Sequence, residues 1–575
     1  MFQIKIFFAS AILIAGLAAN AQNSEMQSKW KDAFEYFPEP SEFIKNTFPN
    51  ENSIARHARI FNSDKYPTLF CKFPARYKLL ADNELVPAKD FKLCVDLQEF
   101  IDKAPVEKIS VVFASESLTQ PASIMGHIFL KLSGYNNRKV KSDHTVSFFT
   151  RMDDVDPLTL IVQSFLTGKK GFYSLAPFSD AIDYYVKGEG RTLWEYELKL
   201  NNEQTKFLSY YLYEMRNIEL KYFFHSFNCS TLINRIIVTV YSEMKSTGHL
   251  WITPLDVIKE LYKNDLIAER QVYPSSSWLI LRLRQLNGKS LVSKAEYISD
   301  SSSLEEKALN FHYLKAYQDY LFEREKIDRQ RFNDNMDALK TKFSDNKKYD
   351  EISMEDLDGP EKTIQDSQIL LSSSHYGMRD QYDLYFLPIS HQIHNDLSGY
   401  TFESEVKLFG LNLTYSKEND LKVSEVDIFK VAAYNHHDPL IGGLSGQFFL
   451  SYQDNSNNLN LVDKKRLEAF ISLGKTYRYF NDLDFYIWPA LLISQSDTAS
   501  IMLSPQTGII LREVFKMKTT AYYEHQFGTH NDSLDVFDIK QSFNSSEYSV
   551  GFSYSKYFNK KDTREKFGAF ISHIF

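Results

Sequence analysis

From about Ile369 to the end of the chain one texture repeats: short runs in which every second residue is apolar, separated by polar turns. Leu467, Ala469, Ile471 and Leu473 alternate with Glu468, Phe470, Ser472 and Gly474. Phe448, Leu450 and Tyr452 alternate with Gln447, Phe449 and Ser451, and Val550, Phe552 and Tyr554 with Ser549, Gly551 and Ser553. Successive side chains of a strand point to opposite faces, so this pattern predicts strands with one apolar face and one small or polar face. So long a run of strands leaves edges that must be paired, and closure is expected. A barrel with this alternation faces lipid outside and water within. The 35 Tyr and 45 Phe of the chain, many in its last third, suit strands and a membrane-facing surface.

The closing segment "KFGAFISHIF" puts Phe575, His573, Ile571, Ala569 and Phe567 on one strand face. It resembles the last strand of outer-membrane barrels, which commonly end in an aromatic residue preceded by apolar residues at alternate positions; His573 interrupts the series. A soluble sandwich or barrel packed against the rest of the protein is the alternative.

The first residues, "MFQIKIFFASAILIAGLAANAQ", have the form of a secretory signal. Lys5 is the only early charge, an apolar core runs from about Ile6 to Ala19, and Ala19-Asn20-Ala21 supplies a small-x-small cleavage site. No cysteine follows the core, so an N-terminal lipoprotein is not expected, and nothing after residue 22 approaches the roughly 20 apolar residues of a membrane helix. At 575 residues the chain exceeds one ordinary domain. Its net charge of −8 is spread out, with no basic stripe to suggest a nucleic-acid partner.

Exported chains meet oxidising conditions, and this one has three cysteines. Cys71 ("LFCKFPARY") and Cys94 ("FKLCVDL") lie close together in apolar, strand-like contexts and are expected to pair, leaving Cys229 as the free thiol. Cys229 follows Asn228 in "SFNCSTLINR". Leu232, Ile233, Ile236, Ile237, Val240, Tyr241 and Met244 then recur at helical spacing, so the thiol should sit at a helix start. There the helix dipole and free N–H groups favour a thiolate and can hold a developing oxyanion.

A thiol nucleophile needs a base and often a group that orients the base. His127 is the candidate base: "SLTQPASIMGHIFLKL" brings a small-residue loop and Gly126 up to a histidine on the first turn of a strand. His144 opens the strand "HTVSFFT", Ser147 lies three residues further on, and either could orient His127 if the two strands form a hairpin. His225, in the extended-looking "YFFHSFNC", is read as structural. No pair of His, Cys or carboxylate residues has the tight spacing of a structural zinc site, and no metal or other cofactor is expected.

Between these points "KISVVFASE", "HIFLKLSG" and "HTVSFFT" read as strands, with "YNNRKVKSD" as a hairpin loop. "NNEQTKFLSYYLYEMRN" reads as a helix with an Asn start signal. One long charged helical stretch is expected from about Leu304 to Phe343, with Leu309, Tyr313, Tyr317, Tyr320 and Leu321 as its apolar stripe.

The segments "PASIMGHIFLKL", "GFYSLAPF", "GRTLWEYEL", "FFHSFNCS", "ITPLDVIKEL" and "YPSSSWLILRLR" occur in the order found in the Lnb periplasmic-domain family, which includes the Lnb lipoprotein N-acyltransferases. "CKFPARYKLL" resembles the segment that precedes this domain in longer members, so the resemblance spans most of residues 50–330. The family is similar to permuted relatives of the papain-like NlpC/P60 thiol hydrolases, with histidine before cysteine in the chain. The resemblance therefore implies an α+β permuted papain-like domain, Cys229 as nucleophile and His127 as base. It also places Ser123, Glu189 and Arg191 on the family motif and groups them with Asn228 as substrate-binding candidates, Arg191 to hold an anionic head group or to lock the fold. The third catalytic position, often Asn in relatives, aligns with Ser147. The expected organisation is a signal peptide over 1–21, a mixed region with the cysteine pair over 22–105 and the Lnb-type domain over 106–300. Charged helices and a linker over 301–365 and the barrel over 366–575 complete it. Acyl transfer at a membrane, with a lipid or lipoprotein as substrate, is the implied function. A cell-wall or peptide hydrolase with the same machinery, and an inert envelope scaffold, are the alternatives.

Overall fold

The computed structural model describes residues 26–35, 51–116, 125–150, 167–216, 218, 220–223, 227–244, 251–287, 304–343, 359–376, 379–400, 402–417, 420–479, 482–528 and 532–575. The expected signal peptide lies outside them. The chain divides into two compact units, one from within residues 1–115, 125–185 and 193–273, the other from within 116–124, 186–192 and 274–575.

The first unit opens with helices α1 (Ser53–Phe61), α2 (Pro74–Asp82) and α3 (Val95–Lys103). Asn52 caps α1 by accepting the Ala55 N–H at 2.8 Å, and Pro74 occupies the first turn of α2, where no N–H is needed. Cys71 and Cys94 form the expected disulfide, with Cα atoms 5.2 Å apart. Their surroundings are helical rather than strand-like: Cys71 lies in the short helix Leu69–Lys72, and Cys94 is the N-cap of α3. Short apolar runs carry no period that separates strand from helix. Arg76 of α2 forms a buried ion pair with Glu214, its backbone N–H also reaching that carboxylate at 2.9 Å.

Seven antiparallel strands follow: β1 (Lys108–Ala114), β2 (His127–Tyr135), β3 (Lys141–Thr150), β4 (Lys169–Pro177), β5 (Leu193–Leu198), β6 (Leu220–Tyr222) and β7 (Ile267–Tyr273). Their order among the described residues is β6-β4-β3-β2-β1-β5-β7. Four adjacent strands share one buried polar network. Glu195 accepts from Ser110 at 2.7 Å, from Lys131 at 2.8 Å and from the Tyr273 hydroxyl at 2.8 Å. Satisfying every atom of such a network is what makes a buried charge tolerable. Helix α4 (Asn202–Met215) starts with a capping box between Asn201 and Gln204, as its sequence predicts. Helix α5 (Cys229–Val238) packs against β2 and β3, and α6 (Pro254–Lys263) against β1.

In the second unit, α7 (Ser276–Asn287), α8 (Leu304–Glu323) and α9 (Arg329–Lys342) pack around Ile280, Leu283, Tyr313, Leu314, Leu339 and Phe343. The single helix expected over 304–343 is two. Glu325 adopts φ 54°, which ends α8, and Asp328 accepts the Arg331 N–H at 2.8 Å to start α9.

From Gln368 on, the second unit is a closed antiparallel barrel of twelve strands among the described residues. They are β8 (Gln368–Tyr376), β9 (Arg379–Leu387 with Ile389–His391), β10 (Ser404–Ser416), β11 (Lys422–Ala433), β12 (Ser445–Asn455) and β13 (Lys464–Tyr479). Then come β14 (Leu483–Trp488 with Ala490–Gln495), β15 (Ala499–Leu503 with Gln506–Arg512), β16 (Met517–Phe527), β17 (Ser533–Asn544), β18 (Tyr548–Phe558) and β19 (Thr563–Ile574). Pro388, Pro489 and Pro505 fall in the interruptions of β9, β14 and β15, as expected of a residue with no ladder donor. β19 pairs with β8 from Lys566↔Tyr376 to Ile574↔Gln368 and closes the sheet.

Alternation sorts the barrel's side chains as the sequence predicts. Leu467, Ile471 and Leu473 point outward and are exposed, as are Phe448, Val550 and Phe552, whereas Ser451, Ser472 and Ser549 are buried. Exposed aromatic rings gather toward both strand ends, Tyr382, Tyr415 and Phe527 at one and Tyr479, Phe543, Tyr548 and Phe575 at the other. Between them lie exposed aliphatics such as Leu371, Leu491, Ile493 and Ile571. An apolar outer band with aromatic girdles over a polar interior is a lipid-facing surface. Among the described residues no helix is long and apolar enough to cross a membrane. Phe552→Arg, in mid-strand on the outer face, should weaken the inserted barrel by about 2–4 kcal/mol. Urea titration of the protein in liposomes measures this; an unchanged midpoint would speak for a soluble barrel.

Candidate functional site

His127 is the first residue of β2, paired with Ala114 of β1. Gly126 turns the chain into that strand with φ +79°, and a Cβ there would lie 2.4 Å from the Phe113 ring and 2.8 Å from the Ala114 carbonyl oxygen. Only glycine meets both demands, so the turn that delivers His127 depends on it. The imidazole stacks on Tyr185, with ring centres 6.1 Å apart and planes at 25°, and Tyr185 also stacks on Phe129 at 5.7 Å.

Cys229 is the first residue of α5 and is buried. Asn228 is the N-cap: its side-chain oxygen accepts the Thr231 N–H at 2.9 Å and the Thr231 hydroxyl at 3.1 Å. Its amide group is 3.4 Å from the Ile252 carbonyl. The Cys229 N–H donates to the Tyr222 hydroxyl oxygen at 3.3 Å.

Burial pushes the Cys229 thiol up, but the positive charge and hydrogen bonding of His127 act against it. The Ile128 backbone N–H and the Tyr222 hydroxyl act in the same sense, and the thiol is brought down to about 7. A group that buried would ordinarily resist ionisation; here the donors around the sulfur outweigh desolvation. The Tyr222 hydroxyl is itself pushed well above its ordinary value, first by burial and then by the adjacent Cys229 charge. It therefore remains a proton donor wherever the thiolate exists.

Of the two candidates to orient His127, register separates them. Leu130 pairs with Val146, so Ser147 continues on the face that carries His127, Phe129 and Lys131. It is a diagonal neighbour of the His127 region, where such residues stand roughly 7–8 Å apart. His144 pairs with Leu132, on the opposite face and five residues along β2 from His127, roughly 16 Å at strand rise. Its Nδ1 lies 3.1 Å from the Ser142 hydroxyl, and burial, then Lys103, holds it below the ordinary histidine range. Of the two alternatives, register thus places Ser147 and not His144 on the face of His127. Arg191 is buried and Glu189 partly buried, and the two pair with each other at 2.8 Å within a segment of the second unit. Ser123 and His225 lie outside the described residues.

Two contributors escaped the sequence. Tyr185 and Tyr222 are two of 35 tyrosines, and nothing local separates them from core aromatics. Only the fold sets one against the His127 ring and the other beneath the Cys229 N–H.

Residues 96–264 match the family model described as the Lnb N-terminal periplasmic domain. No curated protein matches the chain significantly by sequence. Among solved structures, the KdgM porin aligns at 11% identity and a TM-score of 0.23, covering 36% of this chain and 99% of its own. The NanC porin aligns at 8% identity and 0.24, covering 36% and 98%. OmpT, an outer membrane protein of Vibrio cholerae, aligns at 7% identity and 0.19, covering 36% and 96%. With the lipid-facing barrel, the family match makes this an exported, outer-membrane-associated protein. More particularly, it joins an Lnb-type periplasmic domain to a carboxy-terminal β-barrel.

The site predicts a pH profile. Iodoacetamide should alkylate Cys229 with a midpoint near pH 7. His127→Ala should move that midpoint toward the ordinary thiol value of about 8.5. Tyr222→Phe, which removes one hydrogen bond to the thiolate, should slow alkylation at about pH 6.5 some five- to tenfold and leave the high-pH rate unchanged.

Proposed function

We propose that this protein is an envelope thiol enzyme that forms an acyl-cysteine intermediate and transfers the acyl chain from a membrane lipid or lipoprotein ester to an amine. The observation that carries this reading is the acidified Cys229 thiol at the start of α5 beside His127. In the first half-reaction Cys229 Sγ attacks the ester carbonyl. An Sγ–C bond forms and the carbonyl electron pair moves onto oxygen, with the positive end of the α5 dipole favouring the negative charge. The C–O bond then breaks, and the departing alcohol takes its proton from His127. In the second half-reaction the amine attacks the thioester and gives a proton to His127; an N–C bond forms and Cys229 leaves as thiolate. Ser147 is the candidate to orient His127.

The same half-reactions with water as acceptor would describe a hydrolase, so the choice of acceptor rests on context. The chain resides at a membrane through its barrel, and its motifs resemble those of the Lnb lipoprotein N-acyltransferases. A carbonyl-attacking site at a membrane has lipid esters at high local concentration. Together these favour lipid over peptide.

Intact-protein mass spectrometry tests the reading. Detergent-solubilised protein is incubated with phospholipid and a diacylated lipopeptide, beside a Cys229→Ala control. The wild type alone should gain a fatty-acyl increment, and the lipopeptide should become N-acylated. Absence of any adduct, with both lipids unchanged, would refute acyl transfer.

A further inference from the structure

The interior of the barrel carries an assignment independent of the thiol site. Each barrel end is crossed by one of the chain's own loops. At the end defined by Gln368 and Ile574, the residues after His391 leave β9 and reach the far wall. The His394 carbonyl accepts from Ser542 of β17 at 2.6 Å, and the Asn395 carbonyl accepts from Lys518 of β16 at 2.7 Å. On its return the segment brings Glu403 to Arg512 of β15 and to Lys518, each at 2.7 Å. Asp484 of β14 completes the layer, paired with Arg478 at 2.8 Å and His436 at 3.0 Å as well as with Arg512. In strand order β9 and β15 are half a circuit apart, so the segment spans the lumen rather than lining it.

At the other end the loop between β12 and β13 does the same. The Leu459 carbonyl accepts from Asn559, in the turn between β18 and β19, at 2.7 Å. Leu461 packs against Leu534 and Val536 of β17. Arg466 grips the base of the loop through the carbonyls of Asn455 at 3.0 Å and Asn457 at 2.8 Å. Leu461 has φ +53°, a conformation unfavourable for a non-glycine residue that persists where packing imposes it.

Exposure separates a plug from a loop lining a channel. In a water-filled lumen, charged groups would be hydrated and apolar ones avoided. Here His394 and Asn395 of the first segment are 2% and 0% exposed, beside Asp484 at 0%, Lys518 at 4% and Glu403 at 5%, while Leu461 is 3% and Leu534 0% exposed. Water is excluded from an ion-pair layer at one end and an apolar layer at the other. We propose that the barrel is a sealed membrane anchor, its lumen shut twice, by Gln392–Tyr400 at one end and Ser456–Val462 at the other.

Two seals in series make a specific prediction. The full chain reconstituted into planar lipid bilayers should give no stepwise conductance. Replacing either segment alone by a Gly-Ser linker should leave it silent, because the second seal remains. Replacing both should produce discrete conductance steps. Heat-modifiable migration in gels identifies the folded barrels, so a silent variant that has failed to insert is excluded from the comparison. Steady steps from the wild type, or from either single replacement, would overturn the proposal. So would silence of the folded double replacement, since the closure would then lie elsewhere.

Discussion

In hydrocarbon a backbone N–H or C=O without a partner costs several kcal/mol, and no water is present to supply one. That constraint organises more than a third of this chain. The ladder from β8 to β19 leaves no open edge, and beyond its last pair Ser367 and Phe575 exchange backbone hydrogen bonds at 2.9 and 3.2 Å. Once closure is required, the face of each strand is settled by alternation. A one-residue slip would turn Asp383, Ser472 or Asp538 toward lipid and Leu371 or Phe552 toward the lumen. The proline interruptions at 388, 489 and 505 are tolerated because each strand resumes with its pairing continued on the far side.

The first unit meets a different constraint, a cysteine that is buried and yet surrounded by groups that favour its ionised form. Desolvation alone would hold the thiol protonated. The sheet delivers His127 at a strand mouth, α5 delivers Cys229 at its first residue, and a glycine and an asparagine cap make those two termini sharp. Tyr222 touches the same cysteine through its backbone N–H and its sulfur, so one hydroxyl couples the helix start to the state of the thiol. The disulfide between Cys71 and Cys94 leaves Cys229 as the free cysteine of the chain.

Much of this was legible residue by residue. Period-two alternation around Leu467, Phe448 and Val550 announced an inside-out barrel because every second residue meets the same solvent. The Asn-Cys step before Leu232 and Ile233 announced a helix start because capping is a local interaction. Elsewhere local signals failed for definite reasons. The contexts of Cys71 and Cys94 were too short to show a period, and the charged stretch over 304–343 hid the left-handed turn at Glu325. Asn228 was grouped with the substrate-binding candidates, and its role as the cap of the helix that Cys229 opens emerged from its hydrogen bonds to Thr231. His144 and Ser147 could not be ranked without register, since a one-residue difference in pairing decides which face each occupies.

What the sequence determined by itself, then, is what depends on neighbours along the chain: alternation, caps, turns and the contrast between a lipid-facing and a polar face. Tertiary structure decided what depends on meetings between distant segments. It joined Ser367 to Phe575, set Tyr185 and Tyr222 around His127 and Cys229, and carried Glu403 and Leu459 across the lumen to partners about a hundred residues away. Such pairings leave no trace in local composition, because a buried tyrosine or a paired glutamate has the same neighbours in sequence whichever partner it meets in space.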